Sequence, residues 1–304
     1  MNIMITGTDG FVGDILMKYF EEKGHSVFGT VFVRDAKENE VRFDIRDEKE
    51  FKKLPKGKFD VVIHTVGVVS QAAPKKLMFQ VNAEGTKRML AWAKENGGGH
   101  FIQISSVSVY GLKTNGQNRS EAKTKRYDGM FAIPYMRSKA KAERYIEESG
   151  LGYTILRLPA ILGKNDTVVS PAIVPRLQNG SFYFCGKADK LFSTLYVKNL
   201  PPIIEKVIEA GPLNDAFNCV DYHVPWREFV GEYAKVLNVE PGNKTASILS
   251  VLPRLNDKLW ALIMTYSRFG GHYPYEKLKN RLGDYPIAYP LEEGIREAIQ
   301  PFTR

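Results

Sequence analysis

Three closely spaced glycines near the start of the chain constrain its fold more than any other feature. A short apolar run at residues 3–6 leads into the turn TGTDGFVG at residues 6–13, and a stretch of helical character follows at residues 14–23. Glycine adopts the positive φ that a tight turn needs and leaves the backbone bare where other residues carry a Cβ. The pattern therefore predicts a strand, a sharp turn and a helix at the start of the chain.

The same turn predicts a binding site for a dinucleotide. A pyrophosphate can approach closely only where the backbone is bare, and the N-terminus of a helix offers N–H donors and a partial positive charge. We therefore expect the turn and the first helical residues to hold the cofactor, through Gly7, Gly10, Phe11, Val12 and Gly13.

Short β-branched runs continue to alternate with helical stretches as far as residue 105. Such alternation implies right-handed crossovers and a parallel sheet, so the predicted fold class is α/β, a doubly wound Rossmann sheet with a smaller C-terminal substrate-binding region. The rhythm weakens after Gly163, where prolines become frequent. We expect an NAD(P)-binding Rossmann domain at residues 1–163 and a mainly substrate-binding region at 164–304, with segments near 192–220 returning to the sheet.

The end of the second predicted strand, residues 26–33, bears on which dinucleotide is bound. It is followed by Arg34, which can pair with a 2′-phosphate, and by Asp35, which would suit a free ribose if the strand ended one residue later. We expect NADP in preference to NAD. Asp44 and Ile45 are placed to contact the adenine edge, although Asp44 could instead cap a helix that begins near Asp47.

Two groups of polar residues are candidates for catalysis. Tyr135 and Lys139 are four residues apart, which puts them on one face of a helix. Upstream, an apolar strand ends in hydroxyl residues, and the carboxyl ends of parallel strands are where ligands bind. We expect Ser106 to share a site with Tyr135 and Lys139, and Ser105 and Ser108 are alternatives to it.

In this order and spacing, the glycine turn, the strand-end serine and the Tyr/Lys pair resemble the extended short-chain dehydrogenases/reductases, the superfamily of NAD-dependent epimerases and dehydratases. Three further segments are similar to that family: residues 64–67 (HTVG), residues 81–86 (VNAEGT) and residues 156–159 (LRLP). The resemblance covers roughly residues 1–220.

The resemblance implies roles for individual residues. Ser106 would hydrogen-bond the substrate, Tyr135 would donate or accept its proton, and the Lys139 ammonium would bind the cofactor ribose. Further cofactor contacts are implied at Thr65, Val66, Gly67, Asn82 and Pro159. The expected activity is an NAD(P)-dependent oxidoreductase or epimerase that acts on a secondary alcohol or ketone by hydride transfer.

The sequence indicates the type of reaction more closely than it indicates the substrate. A nucleotide-linked sugar is the first expectation, and a lipophilic alcohol, as in the family's 3β-hydroxysteroid dehydrogenase branch, is the alternative. Phe192 stands where sugar-nucleotide members commonly carry an arginine. Other cations are available for the phosphate contact, namely Arg176, Lys187, Lys190 and Arg227. A dinucleotide sensor without turnover is a hypothesis of another class, disfavoured because the Ser, Tyr and Lys are all present.

Composition excludes several other functions. Lys plus Arg total 43 against 34 for Asp plus Glu, but the basic residues are scattered, so we expect no dedicated nucleic-acid site. The only cysteines, Cys185 and Cys219, are expected to be buried reduced thiols, and no metal site is expected.

No apolar segment is long enough to span a membrane and no secretory signal begins the chain, so we expect a cytoplasmic protein. The aromatic-rich residues 248–275 read as a substrate-covering helix, or alternatively as a helix on a membrane surface. A homodimer is compatible with the resemblance.

Overall fold

Seven parallel strands form the central sheet in the computed structural model, which describes residues 1–69, 73–111, 116–122, 133–242, 244–246 and 258–303. The sheet order is β10-β6-β5-β4-β1-β2-β3, and every neighbouring pair in it is parallel. The strands of this sheet are β1 (Asn2–Thr6), β2 (Ser26–Val31), β3 (Glu40–Arg42), β4 (Val61–His64), β5 (His100–Ser106), β6 (Tyr153–Leu158) and β10 (Asp215–Asn218). The chain starts in the middle of the sheet and winds outward in both directions, which confirms the doubly wound Rossmann prediction.

Helices cover the sheet and build the C-terminal region. They are α1 (Phe11–Glu22), α2 (Lys75–Phe79), α3 (Thr86–Glu95), α4 (Pro134–Glu147), α5 (Val169–Gln178), α6 (Leu200–Ala210), α7 (Trp226–Leu237), α8 (Lys258–Phe269), α9 (Glu276–Leu282) and α10 (Leu291–Ile299). A π-helical segment, Gln80–Gly85, joins α2 to α3, and short 3₁₀ turns occupy Glu48–Lys53, Val107–Tyr110, Val197–Asn199 and Gln300–Phe302.

Two small sheets lie outside the central one. The first has the order β11-β9-β7 and the second pairs β12 with β8. Their strands are β7 (Ala160–Leu162), β8 (Phe184–Cys185), β9 (Leu191–Tyr196), β11 (Tyr222–Pro225) and β12 (Thr245–Ala246). Because β10 pairs with β6 in the central sheet, the chain returns to that sheet after β9. The division of the chain at residue 163 stays a prediction.

The hydrophobic cores follow from the sequence pattern. Every residue of β4 is buried, as expected of a strand covered on both faces. Helix α1 buries Leu16, Met17 and Phe20, which recur at helical spacing along one face. A separate cluster packs α5, α7, α8 and α10 around β8. Both cysteines are buried free thiols.

The second strand is shorter than the sequence predicted. It ends at Val31 instead of residue 33, and Phe32 and Val33 are exposed, the latter by 83%. The Asp9 carboxylate in the glycine turn accepts the N–H groups of both residues, at 2.7 and 2.6 Å. These N–H groups therefore bond to the turn and not to a neighbouring strand.

Candidate active site

The turn between β1 and α1 has a shape that suits a phosphate group. Gly7 has a φ of +76°, and a Cβ on Gly13 would collide with the Gly7 carbonyl. The Thr8 N–H donates to the Thr30 carbonyl at 2.8 Å, which fixes the turn against β2. Among the described residues, no side chain caps the start of α1 at Gly10. The first N–H groups of α1 can therefore bind an anion at the positive end of the helix dipole.

Two apolar residues open α1 and support the turn from behind. The Phe11 ring lies against Gly163, where an added Cβ would be 3.1 Å from it. Val12 is half-buried and packs on the core under the sheet. At both positions the side chain belongs to the packing, so a ligand would meet the backbone N–H.

The predicted adenine contacts, Asp44 and Ile45, lie just after the end of β3. Asp44 pairs with Arg46 at 2.5 Å, a hydrogen bond that lowers the pKa of the Asp44 carboxyl although burial opposes it. It does not cap the following turn, because Asp47 accepts the Lys49 N–H there. Ile45 is buried, and an added Cβ on Gly85 would be 3.1 Å from its side chain.

The segment after β4 lies between the glycine turn and α4. Thr65 donates to the Thr6 carbonyl at 2.6 Å, and an added Cβ on Gly7 would be 3.1 Å from Val66. A Cβ on Gly67 would be 3.2 Å from Lys139 Nζ. The bare backbone at Gly67 thus lets the lysine head approach this segment.

Asn82 locks the same segment in place. Its side chain accepts the Val68 N–H at 2.7 Å and donates to the Val68 carbonyl and to Ser138 Oγ, both at 3.0 Å. Asn82 is fully buried. Pro159, the last of the predicted cofactor contacts, is buried immediately after β6.

His64 lies at the carboxyl end of β4 and is fully buried. Its ring nitrogens contact the hydroxyls of Thr6, at 2.7 Å, and Thr86, at 3.2 Å. Burial and the nearby Lys139 charge lower the pKa of His64 to about 3. The imidazole is therefore neutral at physiological pH and joins β1, β4 and α3 as a hydrogen-bonded core residue.

Helix α4 brings Tyr135 and Lys139 together with the end of β5. Burial raises the pKa of Tyr135 above its ordinary value, and the neighbouring Ser106 side chain opposes that shift. The Lys139 ammonium is 4% exposed and donates to the Ile104 carbonyl at 3.0 Å. Burial lowers its pKa to about 8, although the carboxylate of Glu143 opposes the shift. A Ser–Tyr pair and a buried ammonium therefore meet where β4 and β5 end.

The other two serines have different surroundings. Ser105 is buried and donates to Glu143 at 2.6 Å, which ties β5 to α4. The Ser108 hydroxyl is buried and has no hydrogen-bond partner among the described residues, while its N–H donates to Ser106 Oγ at 3.1 Å. Of the three candidates, Ser106 is the one that contacts Tyr135.

A buried polar network behind the site was not predicted from the sequence. Glu143, one helical turn after Lys139, forms an ion pair with Arg157 at 2.7 Å, and Ser105 also donates to it. Arg157 donates to the Tyr110 hydroxyl at 2.9 Å, which in turn donates to Asn218 at 2.7 Å. Two features of the sequence could have indicated this network: the four-residue spacing between Lys139 and Glu143, and the arginine inside the LRLP segment. The network joins α4, β6 and β10 behind the strand ends.

Phe192 belongs to a buried aromatic cluster of the C-terminal region. Phe192 is 1% exposed, with its ring centroid 4.8 Å from that of Trp226, 4.9 Å from that of Phe229 and 4.8 Å from that of Tyr266. The position is therefore an apolar packing site.

The candidate phosphate-binding cations fall into two groups. Arg227 lies 4.1 Å from the centre of the Phe184 ring and donates to the Lys187 carbonyl at 3.3 Å, while the backbone N–H of Trp226 donates to the backbone carbonyl of Lys190. Arg176 lies elsewhere, 4.6 Å from the Trp260 ring. We call Lys187, Lys190 and Arg227 the cationic loop.

The predicted covering helix is described only in part. Residues 248–257 lie outside the described residues, and α8 follows them. None of the helices described has the length and apolar character needed to cross a bilayer.

Comparison with sequence families places the chain among known proteins. A family model described as NAD dependent epimerase/dehydratase family matches residues 3–219. One similar protein is the N-acetyl-alpha-D-glucosaminyl-diphospho-ditrans,octacis-undecaprenol 4-epimerase of Escherichia coli O157:H7, 22% identical over 98% of this chain and 94% of its own. Another is the 2-alkyl-3-oxoalkanoate reductase of Stenotrophomonas maltophilia, 24% identical over 98% and 93%.

Solved structures resemble the whole chain. The Bordetella bronchiseptica enzyme WbmH in complex with NAD+ superposes with a TM-score of 0.78, at 19% identity over 99% of this chain and 98% of its own. RMD from Pseudomonas aeruginosa complexed with NADPH gives a TM-score of 0.73, at 18% identity over the full length of both. At these identities the likeness establishes the fold.

Proposed function

Since the chain belongs to the NAD dependent epimerase/dehydratase family, we propose that it interconverts a secondary alcohol and a ketone by hydride transfer. Tyr135 is the acid or base, Ser106 holds the reacting oxygen, and Lys139 binds the cofactor ribose. The observation that carries this proposal is the placement of Tyr135 and the buried Lys139 one turn apart on α4, with Lys139 bonded to the end of β5 beside Ser106.

The surrounding residues fit a nicotinamide dinucleotide. The uncapped start of α1 and the bare turn at Gly7, Gly10 and Gly13 suit a pyrophosphate. Lys139 Nζ lies beside Gly67 at the segment after β4, where a ribose hydroxyl can accept from it. When bound, the nicotinamide ring supplies the hydride acceptor or donor.

Residues of the protein transfer the proton and orient the reacting oxygen of the substrate. Because burial raises the pKa of Tyr135, its phenol carries a proton at neutral pH and can donate it to the oxygen of a ketone. Ser106 hydrogen-bonds the same oxygen and orients it. In the direction of alcohol oxidation, Tyr135 takes the proton back, and the ammonium of Lys139 favours the phenolate by its charge.

For the substrate, we propose a sugar linked through a diphosphate, as in a nucleotide-linked sugar. The cationic loop supports this, because Arg227 is held by the Phe184 ring and the Lys187 carbonyl beside two lysines. The E. coli relative is named for a diphosphate-linked sugar. Residues 164–304 would set this choice.

A lipophilic alcohol or ketone is the second candidate. Phe192 lies in an aromatic cluster with Trp226 and Tyr266, where a phosphate-binding arginine would be out of place. The Stenotrophomonas relative is named for a substrate with an alkyl chain.

Between NADP and NAD, we propose a preference for NADP. Arg34 follows β2, where the adenosine 2′-position would lie, and its side chain is 34% exposed. A guanidinium is well matched to a phosphate dianion.

A thermal-shift panel in the presence of NADPH tests the substrate class, because a ligand of the native state stabilises it by mass action. UDP, dTDP or GDP should raise the melting temperature of the parent protein. Arg227→Ala should lose most of that shift, whereas Arg281→Ala, on the exposed end of α9, should keep it. Stabilisation by a sterol and by none of the nucleotides would replace the first substrate class with the second.

A further inference from the structure

Arg34 does not face the solvent as a lone cation. Its two terminal nitrogens form a bidentate ion pair with Glu40, at 2.6 Å from Nη1 to Oε2 and 2.5 Å from Nη2 to Oε1. Nη1 also donates to the Asp35 carbonyl at 2.8 Å. Of the five N–H groups of a guanidinium, this arrangement uses three.

Glu40 is itself held rigidly. Thr8, in the glycine turn, donates to Oε1 at 2.7 Å, and the Lys37 N–H donates to Oε2 at 3.0 Å. Burial opposes ionisation, but these hydrogen bonds and Arg34 lower the pKa of Glu40 to about 2. The carboxylate is therefore charged throughout the physiological range, and it links the phosphate-binding turn to Arg34.

Glu40 does not contact a ligand directly. The Glu40 side chain has no exposed surface, so it cannot accept a ribose hydroxyl itself. It does neutralise the guanidinium, and Asp9, bound to the N–H groups of Phe32 and Val33, adds a second negative charge nearby. A phosphate dianion at this place would meet a cation whose charge is already balanced.

We propose that Glu40 is a specificity-determining residue that limits the preference for the 2′-phosphate. The inference rests on the proposed role of Arg34 in the cofactor site. Glu40 is a positioning residue: it orients Arg34 and offsets its charge, so that the preference for NADPH over NADH stays below about tenfold.

Glu40→Gln removes the charge and keeps the shape. The amide oxygen can still accept from Thr8 and from Arg34 Nη2, so the turn remains anchored. The amide NH2 cannot accept from Arg34 Nη1 or the Lys37 N–H, and Arg34 regains its full positive charge. We expect the Kd for NADPH to fall about tenfold and that for NADH to change less than about twofold, because NADH has no 2′-phosphate. Titration followed by the fluorescence of the reduced nicotinamide measures both.

A double-mutant cycle compares the parent protein, Glu40→Gln, Arg34→Ala and the variant that carries both changes. With Arg34 absent, the Glu40 carboxylate alone would repel a 2′-phosphate, so the further change Glu40→Gln should still shift the Kd ratio in favour of NADPH. A purely structural role for Glu40 would instead weaken both cofactors equally. Equal changes in the two Kd values, or weaker NADPH binding by Glu40→Gln, would overturn the inference.

The parent protein gives a second test that needs no variant to fold. We expect its Kd for NADH to exceed that for NADPH by less than about tenfold at physiological salt, because the pair is nearly neutral. A preference for NADPH above about 100-fold, the size expected of an uncompensated charge-assisted contact, would contradict the inference. If neither dinucleotide bound, the proposed function would fail and not merely the role of Glu40.

Discussion

Replacing Lys139 with methionine should stabilise the protein while damaging its site. Burial lowers the pKa of Lys139 from an ordinary 10.5 to about 8, which corresponds to about 3 kcal/mol at about 1.4 kcal/mol per pKa unit. Methionine fills similar space without a charge. It loses the hydrogen bond to the Ile104 carbonyl, worth about 1 kcal/mol, but Gln103 still donates to that carbonyl at 2.9 Å. The expected net gain is about 2 kcal/mol at pH 7.

The pH dependence of this gain identifies its cause. The folded-state pKa is lowered, so the buried charge costs most below about pH 8, and the cost disappears as pH rises toward 10.5 and the unfolded chain also loses its proton. Urea unfolding at pH 7 and pH 10 should show the gain shrinking to about zero. Lys141→Met, at a lysine 42% exposed on the same helix, is the matched control and should change stability little. A loss of stability in Lys139→Met at pH 7, or an equal gain at both pH values, would refute this reasoning.

Two further predictions concern buried carboxyl groups. Glu143→Gln should cost about 3–5 kcal/mol in urea unfolding, because it leaves Arg157 buried without its carboxylate, and Glu148→Gln at the exposed end of α4 should cost almost nothing. A cost below about 1 kcal/mol would show that the pair is unimportant for stability. Burial raises the pKa of Asp221 from 3.8 to about 7 against the opposing hydrogen bond of Asn199, so the parent protein should lose up to about 4 kcal/mol of stability between pH 4 and pH 7. Asp221→Asn resembles the protonated form and should abolish that loss; an unchanged pH profile of unfolding would contradict it.

The sequence predicted the parts of the fold that depend on local pattern. The glycine turn, the fully buried β4 and the helix that carries Tyr135 and Lys139 each follow from residues close together in the chain, and each lies where it was expected. The order and spacing of the glycine turn, the strand-end serine and the Tyr/Lys pair also indicated the family.

Features that depend on distant residues were not predicted. The end of β2 is decided by Asp9, more than 20 residues upstream, and the surroundings of Arg34 are decided by Glu40, which belongs to another strand. Ser105 and Ser106 are adjacent in sequence, yet Ser105 donates to Glu143 while Ser106 lies beside Tyr135, eight residues earlier on the same helix. The periodicity of apolar residues along the sequence carries no information about these side-chain partners.

The central claim is that Tyr135 transfers the proton that accompanies hydride transfer. Once a substrate has been found with the ligand panel, the direct measurement is turnover by Tyr135→Phe, followed through the absorbance of the reduced nicotinamide, together with the Kd for NADPH. We predict a fall in kcat of about 100-fold or more with a nearly unchanged Kd, because phenylalanine keeps the ring and removes only the hydroxyl. Full activity in Tyr135→Phe would contradict the mechanism.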